Sequence, residues 1–249
     1  PDGANLEVVA SGLRNPQELA FDEHGNLWTG DNDSDQGDME RLVQVVEGGD
    51  SGWRIGYQFA PLGRAGPWNL EKLWNPRFDG QAAYVLPPIA NIEDGPSGID
   101  YYPGTGLGGA YKGHLFITHF KGSPARSGIQ TYTVNPQGAS FKIATSEPFI
   151  VAALPTDVTF GADGKLYFSD WHNGWPKSRR GRIYAVTDPA DATNPLVQET
   201  KRLLYDGFKA RPEAELAMLL GHADQRVRTE SQFELARRAA PAPLAAVAR

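Results

Sequence analysis

A pattern that returns three times leaves this chain little freedom in what it folds into. Pro16-Gln-Glu-Leu-Ala-Phe21, a turn at Gly25 and Leu27-Trp28-Thr-Gly-Asp31 recur as Pro155-Thr-Asp-Val-Thr-Phe160, Gly164 and Leu166-Tyr167-Phe-Ser-Asp170. A looser copy runs Pro96-Ser-Gly-Ile-Asp-Tyr101, Gly113 and Leu115-Phe116-Ile-Thr-His119, with a longer Gly-rich turn at 103–111. Alternating apolar residues on either side of a turn predict an antiparallel hairpin at each copy, with strands at 17–21 and 26–30 in the first. Each copy continues into a further strand, at 42–46, 128–134 and 181–186. Units of three or four antiparallel strands that open on the same hairpin are the blades of a β-propeller. A β-sandwich with coincidental hairpins is the alternative. A propeller ring closes with about four blades or more, so further blades are expected ahead of Pro1. The opening Pro1-Asp2-Gly3, without an initiator methionine or a signal peptide, reads as the start of a piece cut from a longer chain.

Composition agrees with that reading. Gly 28 and Pro 19 together make about a fifth of the 249 residues, which favours a turn-rich, mainly β protein. No run approaches the roughly 18 apolar residues that a membrane span needs. The absence of cysteine excludes disulfides, thiolate metal sites, a cysteine nucleophile and haem attachment within this chain, and suits an exported protein. From Asp188 onward acidic and basic residues balance, nine of each, so the net charge of −6 belongs to residues 1–187. A negative β region without a basic stripe argues against nucleic acid as partner.

The predicted organisation is a partial propeller of about three blades over 1–187, interrupted by a Pro-, Gly-, Trp- and Arg-rich insertion loop at 56–88. A linker follows at 188–206. Residues 207–249 then read as the start of a short HEAT-like helical repeat. Leu216, Leu219 and Leu220 have helical spacing, Gly221 breaks that helix, and Asp224 caps a second one with apolar positions at Val227, Phe233, Leu235 and Ala236. Pro241 and Pro243 open a third segment.

A hairpin brings the start of its first strand and the end of its second to one edge. Arg14 and Asn15 are thereby pushed towards the acidic run Asp31, Asp33, Asp35, Asp38 and Glu40. Oxygen-rich clusters of this kind hold calcium, which takes about six to eight oxygen ligands. The EF-hand pattern itself fails, because Gln36 stands where glycine is required and Leu42 where glutamate is required. The bland reading is a turn whose side chains satisfy the backbone, with Arg14 simply paired to Asp31. The same edge argument collects His119, Lys121, Asp157, Asp170 and His172. His119 and His172 are the candidate acid–base groups because imidazole titrates near neutrality; either is also an ordinary structural hydrogen-bonding residue. Lys121 can equally be a solvated loop lysine. Asp157 and Asp170 recur with the repeat, which points to architecture. Arg179, Arg180 and Arg182 read as a solvated loop, and Trp171 and Trp175 as packing residues.

Arg14-Asn15-Pro-Gln-Glu-Leu-Ala-Phe, then Gly37-Asp38 and Glu47-Gly-Gly-Asp-Ser-Gly-Trp53, resembles the soluble quinoprotein glucose/sorbosone dehydrogenase family. The likeness is closer to the planctomycete-type membrane-bound dehydrogenases, through residues 31–35, 37–41 and the stretch from Ser169 to Trp175. It covers nearly the whole chain. It implies a six-bladed propeller of sugar-dehydrogenase type binding pyrroloquinoline quinone (PQQ) and calcium, followed by a HEAT array and a c-type cytochrome. It implies that Arg14, Asn15 and Lys121 contact the quinone and that Asp31, Asp33, Asp35 and Asp38 lie where calcium is held. The function it implies is sugar or alcohol oxidation by hydride transfer to the quinone. Electrons would pass to a cytochrome whose haem c lies in a downstream domain, in a periplasmic or envelope setting. The chain departs from the family at Leu154-Pro155-Thr156, where arginines are usual, and at Met39, where an acidic residue is usual. Those departures favour the alternative of a non-catalytic propeller/HEAT scaffold that binds a protein or glycan. A calcium-dependent hydrolase on a similar propeller is a third reading.

Overall fold

The computed structural model describes residues 3–33, 35, 38–54, 86–175, 179–240 and 245. Gln36, Gly37 and nearly all of the insertion at 56–88 lie outside the described residues, as does most of the segment after Pro241.

The chain is mainly β, built of consecutive antiparallel meanders. The first sheet has the order β1 (Ala20–Phe21), β2 (Leu27–Asp31), β3 (Arg41–Val45), β4 (Ala90–Asn91). The second runs β5 (Pro96–Tyr101), β6 (Leu115–His119), β7 (Gly128–Gln137), β8 (Ser140–Val151). The third holds β9 (Pro155–Phe160), β10 (Leu166–Asp170) and β11 (Arg182–Val186) in the same up-and-down order. Each sequence repeat is therefore the first hairpin of a sheet, the arrangement of a partial propeller.

Strand β1 is shorter than the expected 17–21. Thr29 explains this: its hydroxyl donates to the Glu18 carbonyl at 2.6 Å, taking the place of a ladder bond. The second sheet has a comparable irregularity between Pro96 and Ile99, where the Gly98 amide donates to the Thr118 hydroxyl at 2.7 Å. The turn between β1 and β2 is held by Asp22, whose carboxylate accepts from the amides of His24 and Asn26 and from the Trp28 indole. Trp28 is thereby fully buried with its one polar atom satisfied, in a core with Leu42, Ile92, Ile99, Leu115, Ile117 and Tyr132.

By compactness the chain divides into two units. One comprises 1–101, 114–158 and 169–182; the other comprises 102–113, 159–168 and 183–249. In the second unit the stretch read as a linker, 188–206, holds a helix, α1 (Pro195–Asp206). Asn194 caps it by accepting from the Leu196 amide, and Pro195 occupies the first turn, where its missing N–H is no loss. Helices α2 (Glu213–Leu219) and α3 (Gln225–Arg237) follow, the latter capped by Asp224 as expected. Leu203, Phe208, Leu216, Leu220, Val227 and Leu235 form their core. Phe233, expected inside, is 63% exposed. Buried Asp224 also accepts from Thr105 and pairs with Arg226, whose guanidinium donates to the carbonyls of Phe160 and Gly161.

Candidate functional site

The last residue of the second strand does the same job in each sheet: it anchors the loop ahead of the first strand. Asp31, with no exposed surface, accepts from the amides of Arg14 at 3.0 Å and Asn15 at 2.8 Å. It also pairs with the buried guanidinium of Arg41. Arg41 in turn donates to the carbonyls of Ser51 and Gly12, binding segments 11–15 and 50–53 to the sheet. Asp170 accepts from the Leu154 amide at 3.0 Å, with Arg182 4.0 Å away. In the second sheet the position is His119, whose Nδ1 faces the carbonyls of Glu93 and Asp94 at 3.0 and 3.3 Å. A nitrogen facing two carbonyls must carry the proton, so Nε2 accepts from the Tyr132 hydroxyl 3.0 Å away. Burial pushes the imidazole pKa down, which keeps this neutral tautomer.

Of the residues expected at the site, Asp31 thus has both oxygens engaged within the fold. The Asn15 backbone is tied to it. Arg14 extends its guanidinium to Asp35 at 3.5 Å. Asp33 lies near Asp35 and Asp38; burial and the repulsion of those two carboxylates raise its pKa. Among the described residues no group of three or more His, Asp or Glu side chains is placed to hold a metal ion. Lys121 pairs with Glu93. His172 has φ +78 and a buried Nδ1 without a hydrogen-bond partner among the described residues. Asp157 lies within β9, away from the strand ends, and shares a hydrogen bond with Glu18. Burial, that bond and the neighbouring charges raise Glu18 to about 8. Trp171 and Trp175, expected as packing residues, pack edge-on against Phe120 at 5.6 and 4.9 Å, although they are 42% and 70% exposed.

The remaining polar groups connect. Arg14 meets Asp35; Asp33 lies within electrostatic reach of Glu40; Glu40 hydrogen-bonds Asp94; and Glu93 holds Lys121. Burial first, then the field of Asp33 and the bond to Asp94, push Glu40 up to about 7. Glu40, Glu93, Asp94 and Lys121 line an open cavity of about 530 Å³, with Met39, Ile92, Tyr132 and Ile143 as its apolar wall. An arc of carboxylates between two cations, beside an open cavity, suits a small polar guest with hydroxyls or carboxylates. Sequence reasoning missed Arg41, Glu93 and Asp94. Asp94 stands two residues ahead of the repeat's proline, the offset of Arg14 from Pro16, and that offset is the signal that would have found it.

No protein-family model and no curated protein matches the chain. Solved structures do. An oxidoreductase (glucose dehydrogenase) of Thermus thermophilus is similar at 19% identity and a TM-score of 0.51, covering 74% of this chain and 49% of its own. Another glucose dehydrogenase aligns at 20% identity and 0.51, covering 75% and 49%. The PQQ-bound aldose sugar dehydrogenase of Streptomyces coelicolor aligns at 20% and 0.47, covering 72% and 45%. The first two establish the fold. This chain shares their fold, a partial propeller of antiparallel meanders. It spans about half the length of those neighbours.

Proposed function

We propose that this chain is part of a sugar- or alcohol-oxidising dehydrogenase of quinoprotein type and carries one side of its binding mouth. The observation that carries this reading is the open cavity lined by Lys121, Glu93, Asp94 and Glu40, from which a run of carboxylates leads through Asp33 and Asp35 to Arg14. When bound, PQQ supplies the two-electron acceptor for the hydride leaving the substrate carbon. Arg14 and Lys121 would hold its carboxylates by charge-assisted hydrogen bonds, exchanging Asp35 and Glu93 for the guest. The Arg14–Asp35 pair is long, and the Asp35 side chain is 80% exposed, so giving it up costs little. Calcium belongs to the proposal only on the condition that binding draws Asp33, Asp35 and Asp38 together, because as they stand they are not placed around one ion; their mutual repulsion is what a cation would relieve. Asp31 would then act by fixing the Arg14-Asn15 loop rather than as a ligand. The domain plan belongs to the same proposal: propeller over 1–187, HEAT-like repeat from 207, and electron transfer to a haem c cytochrome in an exported, envelope-associated protein. Among the described residues no helix is long and apolar enough to cross a membrane.

The test is a PQQ titration of the complete protein with and without calcium, followed by absorbance, with Arg14→Ala and Lys121→Ala alongside. Saturable, calcium-dependent binding lost in both variants is expected. No binding by a folded, calcium-loaded protein would transfer the case to the second reading, a non-catalytic scaffold for a protein or glycan. That reading draws on the internal use of Asp31, His119 and Asp170 as loop anchors.

A further inference from the structure

The three sheets do not end alike. In the first, β4 lies along the outer side of β3, and in the second β8 lies along β7. Leu42 and Val43 of β3 and Ile129 and Tyr132 of β7 are buried accordingly. In the third sheet β11 is itself the outer strand, and among the described residues no fourth strand follows it. Ile183 is 77% exposed there, and Tyr184, stacked on Phe168 at 5.0 Å, is 38% exposed. After β11 the chain turns through 188–194 into α1 instead of returning as a strand. An edge of five residues without proline, Arg182–Val186, is a ready template for another strand.

The converse stands ahead of the first sheet. Strands β4 and β8 each end a few residues before the proline that opens the next sheet, Pro96 and Pro155. The segment in that place before Pro16 is Leu6-Glu7-Val8-Val9-Ala10, apolar apart from Glu7 and β-branched at its centre. By position it is a fourth strand, yet it joins no sheet: Leu6 is 95% exposed, Val8 83% and Val9 48%. Its far end is fastened. The Val9 carbonyl accepts from the Gly48 amide at 2.7 Å, and the Ser11 amide donates to the Gly49 carbonyl at 2.9 Å. One copy thus carries a fourth strand without a sheet and a sheet without a fourth strand.

The two features suit each other. Arg180 and Arg182 stand at the start of the open edge, and the only charge in 4–11 is Glu7, so the signs attract. The solved structures that share the fold are about twice as long, since this chain aligns with 49% of each. Two copies together have the length of that fold. We propose that two copies of this chain associate by exchanging strands, residues 6–10 of each forming the fourth strand of the other's third sheet, alongside β11. The exchange is reciprocal, as a two-fold pairing requires, and swapping an identical element is a low-cost route to a dimer. Ladder hydrogen bonds hold the added strand, and Leu6, Val8, Ile183 and Tyr184 leave water together. The sheets that a ring needs beyond these three then come from the second copy.

The experiment measures the mass of the complete protein in solution by light scattering over a dilution series, with Val8→Pro alongside. Val8 is exposed in a single copy, so the variant should fold; thermal melting checks this. Twice the single-chain mass is expected for the wild type. Proline cannot donate a ladder bond, and symmetry counts its loss twice, so the dissociation constant should rise about tenfold in Val8→Pro. The contact itself is read by coexpressing two single variants, a tagged Val8→Cys and an untagged Ile183→Cys. The chain has no cysteine of its own to interfere. After oxidation, mass spectrometry should find a disulfide joining position 8 of one molecule to position 183 of the other. A monomeric wild type overturns the exchange and leaves β11 to a strand of its own polypeptide. A dimer unmoved by Val8→Pro, or one without the link between positions 8 and 183, overturns it too, because the copies then meet elsewhere.

Discussion

The ends of β2 and β6 occupy equivalent places in two neighbouring sheets, yet one carries Asp31 and the other His119. Each anchors the loop that precedes its own sheet. The loop ahead of the first sheet turns amides inward, at Arg14 and Asn15, and meets a carboxylate; the loop ahead of the second turns carbonyls inward, at Glu93 and Asp94, and meets a protonated ring nitrogen. The repeat thus keeps one task within the molecule, and the polarity of the loop selects the side chain that performs it. Burying a polar group is tolerable only when a partner is supplied, and both solutions supply one. They differ in what else depends on them. Asp31 also neutralises buried Arg41, whereas His119 is neutral and carries only hydrogen bonds.

That difference predicts a ranking. Asp31→Ala strands a buried guanidinium and two amides, and should cost about 3–5 kcal/mol in denaturant unfolding. Asp170→Ala removes one amide acceptor beside a distant arginine and should cost about 1–3 kcal/mol. Equal losses at the two positions would break the distinction between a charge anchor and a hydrogen-bond anchor.

His119→Phe comes next, at about 1–3 kcal/mol near neutral pH, from the partners left behind at Tyr132 and Glu93. Its signature is in pH. The folded pKa of His119 is depressed, so its contribution is complete above its ordinary value near 6.5 and is lost as pH falls below it. The stability gap between wild type and His119→Phe should therefore narrow on acidification; a gap independent of pH would mean that the imidazole is not held neutral.

The smallest effect concerns Glu40, which joins the acidic run to the Glu93–Asp94 loop through its hydrogen bond to Asp94. Its folded pKa is raised, so stability is fullest below the ordinary value of 4.5 and falls as pH rises through about 7. Glu40→Gln should match wild type at pH 4 and melt a little higher at pH 8. Identical melting curves at both pH values would dissolve the link between the acidic run and the Glu93–Asp94 loop.

Much of the scaffold was legible because it is periodic. The three hairpins, the helix at 213–219 and the Asp224 cap follow from alternation, turn residues and capping, all of which act over a few positions. Helix α1 was missed because Asn194-Pro195 reads as loop punctuation before it reads as a cap and first turn. Phe233 shows the limit of spacing, since an apolar position is buried only where a neighbour arrives to cover it. At the site, nearness of Arg14 to the acidic run was legible, but its division of labour was not.

By itself the sequence determined a mainly β chain of repeated meanders with a helical tail, and it placed Arg14, the acidic run and Lys121 at strand ends. Only the tertiary structure decided that Asp31 is taken up by Arg41 and two amides, that His119 is a buried anchor, and that Glu40 meets Asp94. It also decided that Trp171 and Trp175 stand in water. The reason is physical: local rules set where a side chain begins, whereas its partners, charge state and exposure depend on segments tens of residues away in the chain.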